Sequence, residues 1–112
     1  MIHINKPVVY LTGDTNYTRI HYTDGSQELI SFTIKLMVVR VLNLIRIHKR
    51  MAINPLFLVD VQLSNSRRAT VLMRCGNTEI ELVVGRRRIT EVREALKSQN
   101  WVAPLVEAQL ED

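Results

Sequence analysis

Short apolar runs separated by turn-forming clusters predict a mainly β fold: small antiparallel sheets with one middle helix and a short C-terminal helix. Two observations carry this expectation. β-Branched and aromatic residues crowd into alternating runs shorter than an ordinary helix, and only 33–43 and 89–98 sustain a helical spacing of apolar positions. At 112 residues and 46% hydrophobic content the chain can bury a core of its own, so one domain over 1–112 is expected.

The elements follow in order. Pro7 precedes a strand at Val8–Leu11, and Thr12-Gly13-Asp14-Thr15-Asn16 reads as a loop of turn formers. Tyr17 to Tyr22 is a second strand, Asp24-Gly25 a hairpin turn, and Gln27 to Ser31 its returning partner. Thr33 can cap a helix over 33–43, with Ile34, Met37, Val38, Val41 and Leu42 near helical period. Its β-branched residues lower intrinsic propensity, so tertiary packing must hold it. Leu44 to Ile47 then enters a basic loop as a short strand. Phe57 to Leu63 alternates, Asn65-Ser66 turns the chain, Arg68 to Arg74 returns, and Cys75-Gly76-Asn77 is another tight turn. Thr78 to Val84 buries Ile80, Leu82 and Val84 and exposes Glu79 and Glu81. Ile89, Val92 and Leu96 define the closing helix, and Pro104 keeps it from running through the tail.

Charge is unevenly spread. Residues 1–39 hold three basic and three acidic side chains, residues 40–93 eleven and four, and residues 94–112 one and four. A one-sign block in mid-chain focuses a field that suits a polyanion, or is simply a solvated surface. Apolar runs fall short of the ~18–20 residues that span a bilayer, and the N-terminus carries no export-signal pattern. With the single Cys75, which can form no internal disulfide, this points to a cytoplasmic protein. No HExxH, CxxC, G-x-S-x-G or phosphate-loop pattern occurs. His3, His21 and His48 are scattered, so no metal or cofactor is expected, and Asp60, Glu79 and Glu81 fall on solvent faces of strands. The chain is therefore not expected to be an enzyme, to bind a small-molecule substrate or to enter a membrane. Nor does either helix have a neighbour across the short turn of a helix-turn-helix.

Two basic clusters remain. Arg46, His48, Lys49 and Arg50 follow one apolar strand, and Arg86-Arg87-Arg88 follow another, so together they suit one phosphate- and base-reading face built from loops. In order along the chain come the Asn16-Tyr17 pair, the Asp24-Gly25 turn, Thr33 to Leu36, then Arg46, His48, Lys49, Arg50, Met51 and Asn54, and last Val84-Gly85-Arg86-Arg87-Arg88. Over about residues 8–97 this resembles the LytTR DNA-binding domain, the output module of LytR/AlgR-type response regulators of two-component systems. The resemblance implies three small antiparallel sheets with a helix, and loops entering successive major grooves of duplex DNA. It places base contacts on Asn16, Lys49 and Arg86, and phosphate contacts on Arg50, Arg87 and Arg88.

Chemistry agrees with those roles. Arginine's planar fork reaches guanine O6 and N7 together, which suits Arg86, and Lys49 can donate to the same edge or sit on phosphate. Asn16 either pairs with adenine or caps its own turn. His48 is expected to pack and orient its loop, Tyr17 to join the core or anchor a loop, and Asn54 to satisfy loop backbone groups. Arg46 alternates with His48, so one of the two points inward and pairs.

The chain departs from the family pattern in three places. Arg50 replaces a small serine, Met51 an aromatic residue and Gly85 a serine. Set against the family pattern, the chain is expected to lack much of the first strand and a receiver domain. Residues 98–112 extend past the resemblance, with Trp101, Val102, Leu105, Val106 and Leu110 apolar in an acidic segment that folds back or supports a homodimer on repeated sites. The expected function is sequence-specific double-stranded DNA binding in transcription regulation. The rival readings are an RNA- or single-strand-binding β module and a protein-interaction module.

Overall fold

A computed structural model describes residues 4, 6–41, 43–63 and 68–102. Its strands are β1 (Val8–Asp14), β2 (Tyr17–Tyr22), β3 (Gln27–Ile30), β4 (Ile45–His48), β5 (Met51–Ile53), β6 (Leu58–Gln62), β7 (Thr70–Cys75) and β8 (Thr78–Val83). Helix α1 covers Ile34–Arg40 and α2 covers Ile89–Ser98, with short 3-10 turns at Pro55–Phe57 and Arg86–Arg88. All strand pairs are antiparallel. One sheet has the order β3-β2-β1-β5-β4 and the other β6-β7-β8. The mainly β expectation holds, but there are two sheets where the family resemblance implies three. The reason is β5, a strand of three residues where a basic loop is expected. It pairs with β1 on one side and β4 on the other, so the β1–β2–β3 meander and the β4–β5 hairpin merge into one five-stranded sheet.

The two faces of that sheet bury separate cores. Val9, Tyr10, Ile45, Ile47 and Ile53 pack with Val71, Met73, Leu82, Val92 and Leu96 from the second sheet and α2. On the opposite face Leu11, Ile20, Tyr22 and Ala52 meet Ile34 and Met37 of α1. Leu11 and Met37 are fully buried, and truncating either to alanine should cost about 2–5 kcal/mol.

Both helices are explained by their ends. Thr33 Oγ1 accepts the Leu36 amide at 3.3 Å, as the capping reading expects. The helix nevertheless stops at Arg40, short of the expected 43, because Val41 is already extended and Asn43 takes a left-handed φ of 68° that asparagine tolerates. Leu42 lies outside the described residues. Helix α2 matches its expected span, burying Ile89, Val92 and Leu96. It closes in a Schellman arrangement: Asn100 at φ 54°, its amide on Lys97 O, and the Trp101 amide on Leu96 O at 3.0 Å. Trp101 is thereby set against the core.

Other expectations shift. Thr12-Gly13-Asp14 belong to β1 and only Thr15-Asn16 turn, because Thr12 and Gly13 are paired with Arg19 and Thr18 of β2. Phe57 sits in a 3-10 turn rather than a strand, held by the Asn54 side chain, whose Nδ2 donates to Val8 O at 2.8 Å and whose Oδ1 accepts the Leu56 amide. That is the backbone-satisfying role expected of Asn54. In β8, Leu82 is buried and Glu79 and Glu81 are exposed, with buried Val84 just beyond, as alternation required. The Asn65-Ser66 turn and the apolar tail positions Leu105, Val106 and Leu110 lie outside the described residues. Among the described residues no helix is long and apolar enough to cross a membrane.

Candidate nucleic-acid interface

Strand directions bring the basic residues together. Thr12 pairs with Met51, so the β1–β2 turn (Thr15-Asn16) and the β4–β5 turn (Lys49-Arg50) project from the same end of the five-stranded sheet. The third segment joins them through backbone: the Gly85 amide donates to Ile47 O at 2.7 Å, placing Arg86–Arg88 beside the end of β4. Arg46 and Lys49 form the shared wall. A cleft of about 310 Å³ runs from Thr15 and Tyr17 to Lys49 and Arg50, and one of about 650 Å³ runs from Lys49 and His48 to the three arginines.

The second turn is held from every side. Arg46 Nη2 donates to Lys49 O at 2.6 Å, the Gly13 amide donates to Arg50 O at 2.7 Å, and the Arg50 amide donates to His48 Nδ1 at 3.1 Å. Because Nδ1 accepts, the neutral His48 ring carries its hydrogen on Nε2. The side chains of Lys49 and Arg50 point into solvent, and among the described residues neither forms an ion pair.

Arg46 and His48 are both half-buried, and both side chains turn back to hold the hairpin. The Arg46 Nε–H is buried with no acceptor among the described residues. Burial and the nearby Arg88 guanidinium lower the pKa of Arg46, against an opposing pull from Glu91. In the third segment Arg86 and Arg87 are exposed, whereas Arg88 is paired with Glu91 at 3.3 Å and keeps 27% of its side chain exposed. Of the three arginines, 86 and 87 are free to meet a ligand as they stand.

Asn16 stands exposed in the first turn, and its side chain makes no hydrogen bond to a described residue, so the turn-capping alternative is not what the geometry shows. Of the two expectations for Tyr17, core member or loop anchor, the first is corrected. Tyr17 is 48% exposed rather than in the core, because β2 alternation sends Thr18, Ile20 and Tyr22 inward and 17, 19 and 21 to the other face. His21, on that face, stacks on Tyr10 at 4.0 Å and lies 3.0 Å from Thr12 Oγ1. Burial and Arg19 lower its pKa.

Three site residues escaped the sequence reading. A Cβ at Gly13 would lie 3.2 Å from Ile34 Cβ, so this glycine lets α1 close onto the sheet beside the reading end. Its signal was a glycine inside what proved to be a strand. Lys35, on the exposed side of α1, lines the first cleft, and Glu91 lines the second. Glu91 stands three residues after Arg88, a spacing that pairs side chains on a helix and was visible in the sequence.

A mainly β domain that gathers a polar turn (Thr15-Asn16) and two cationic segments (Lys49-Arg50 and Arg86–Arg88) at one sheet end has the architecture of a loop-reading nucleic-acid-binding module. The profile of the LytTr DNA-binding domain matches residues 1–97, and the chain belongs to that family. It is thus a DNA-binding domain of transcription regulation, from a family of DNA binders rather than of enzymes. Among solved structures it is similar to the LytTr DNA-binding domain of a protein from Bacillus cereus described as a methyl-accepting/DNA response regulator. The TM-score is 0.68 over 80% of each chain, at 14% identity, so the likeness is one of fold. No curated protein matches the chain.

Proposed function

We propose that this domain binds double-stranded DNA sequence-specifically in the cytoplasm, reading bases with Asn16, Lys49 and Arg86. Arg50 and Arg87 take phosphates, while Arg46, His48 and Arg88 shape the turns that carry them. The observation that carries the reading is the alignment of all three turns at one end of the five-stranded sheet, with Lys49 bordering both clefts. Two interstrand spacings separate the first turn from the second, roughly 10 Å, and the row spans roughly 20 Å, about six base-pair steps. Residues 1–97 act as the binding unit and 98–112 as an extension, in keeping with the end of the family match and the seating of Trp101.

The test is selection of duplexes from a random pool, followed by anisotropy titrations at several salt concentrations. A motif of about six base pairs, bound at least ~10³-fold more tightly than scrambled DNA, is the expected result. Weak binding that salt erases, without an enriched motif, would overturn it. One observation favours a single-strand reading: exposed Tyr17 lines the first cleft and could stack a base. A single-stranded competitor in the same titrations decides it, since stacking would make the single strand bind at least as well as the duplex. Dimerisation on repeated sites is part of the proposal too. A monomer mass in sedimentation at high micromolar protein, free and on DNA, would remove it.

A further inference from the structure

The cleft between the second and third turns contains an anion of its own. Its walls are Arg46, Lys49 and the three arginines, and among the described residues Glu91 is the one carboxylate lining it. Glu91 stands in the first turn of α2, pairs with Arg88 at 3.3 Å, and also lines a neighbouring groove with Arg46 and Arg88. It thus sits where two guanidiniums crowd, one of them with a buried donor that has no acceptor among the described residues.

A purely structural role explains little of this. Glu91 is 67% exposed and Arg88 27%, and a pair with one partner so open to solvent contributes modestly to stability. A carboxylate near a helix N-terminus is favourable, but nothing in that benefit requires it to face the cationic cleft. To an incoming polyanion the position matters more. A phosphate seated on Arg88 must displace Glu91 or lie beside it, and counterion-driven binding scales with the number of phosphates that the protein's cations neutralise.

We propose that Glu91 is an internal phosphate competitor that withholds Arg88 from loosely bound DNA and so sets the domain's discrimination between its site and bulk DNA. This rests on the DNA-binding reading above. At a matched site, base contacts fix the docking and Arg88 can stay with Glu91. On mismatched DNA affinity is almost wholly electrostatic, and each cation withheld counts in full.

The test compares Glu91→Gln with Glu94→Gln, a charge-matched control on the same helix whose carboxylate lies 3.9 Å from Lys97 and does not line the cleft. Both variants are melted to confirm folding, then measured on heparin and on selected and scrambled duplexes. Relative to the control, Glu91→Gln should bind scrambled DNA roughly three- to tenfold more tightly and steepen the salt slope by about one. Its gain on the selected site should be smaller, and elution from heparin should need more salt. Adding Arg88→Ala should remove most of the difference. If the two variants are indistinguishable on heparin and scrambled DNA, the inference is overturned, even where a motif is enriched. If Glu91→Gln gains on heparin while the natural chain enriches no motif, Glu91 competes with phosphate for Arg88 but its part in discrimination falls together with the base-reading proposal.

Discussion

The two basic segments of the interface are built on opposite plans. In the β4–β5 hairpin, Arg46 and His48 turn back and hold the main chain at Lys49 and Arg50, and the Gly13 amide adds a third tie from β1. In the Arg86–Arg88 turn the holding is backbone to backbone, through Gly85 to Ile47 O and Arg88 N to Gly85 O, so Arg86 and Arg87 remain free. One segment uses side chains to fix a turn, and the other uses a fixed turn to leave side chains loose. A fixed turn suits register on the duplex, while long free guanidiniums on an anchored backbone adapt to the base edges they meet.

The largest effect should come from breaking the tie that joins the hairpin to β1. In Gly13→Ala the new methyl lies 3.2 and 3.3 Å from Ile34 Cβ and Cγ2, so α1 or β1 must shift. Overpacking of this kind costs about 1–3 kcal/mol, and the shift loosens the Gly13–Arg50 bond. Chemical denaturation should show the loss, with a parallel fall in duplex affinity. A variant with unchanged stability and affinity would show that the hairpin does not depend on β1.

The third segment is tested next. Arg86→Ala should cost about 1–3 kcal/mol of discrimination at one or two base pairs, while Arg87→Ala should weaken all duplexes alike and flatten the salt slope by about one. Equal, sequence-blind losses in titrations against selected and scrambled DNA would take base reading away from Arg86. A smaller change, about 1 kcal/mol, is expected for Arg46→Met, which keeps the stem packed but removes the donor to Lys49 O. It should lower affinity with little change in the preferred motif, measured by repeating the selection.

What could be read in advance, and what could not, divides along the same physical line. Helix α2 was legible because Ile89, Val92 and Leu96 encode its period, and the Thr33 cap because its hydroxyl acts on an amide three residues away. These are local effects. Met51–Ile53 was not legible as a strand, since three residues cannot establish an alternation and its pairing partners lie about 40 positions back and a few positions earlier. Thr12-Gly13-Asp14 looked like a loop because turn formers predominate, yet pairing with β2 overrides propensity. In the site, the identities of the basic residues were plain. Their gathering at one sheet end depends on β5 joining its hairpin with β4 to the β1–β2–β3 meander, and the exposure of Tyr17 on which face the second core covers. Neither is encoded within a local window.

The smallest effect is expected at Gly85, where the chain departs from the family's serine. Its φ of −61° and ψ of 136° are open to any residue, so no left-handed strain calls for glycine. A Cβ there would meet His48 Cα, His48 Cδ2 and Ile47 O at 3.6 Å, ordinary contact distances. Its amide bond to Ile47 O is a backbone property and survives substitution. Gly85→Ser should therefore change stability by less than about 0.5 kcal/mol, as at an unstrained site. With its hydroxyl beside the arginines, affinity for all duplexes should rise by about threefold, near the low end of what one hydrogen bond contributes. Melting and anisotropy on the same preparations check both. A clear loss of stability would mean that the third turn needs its glycine to close against β4, making its backbone anchor as demanding as the side-chain ties of the hairpin.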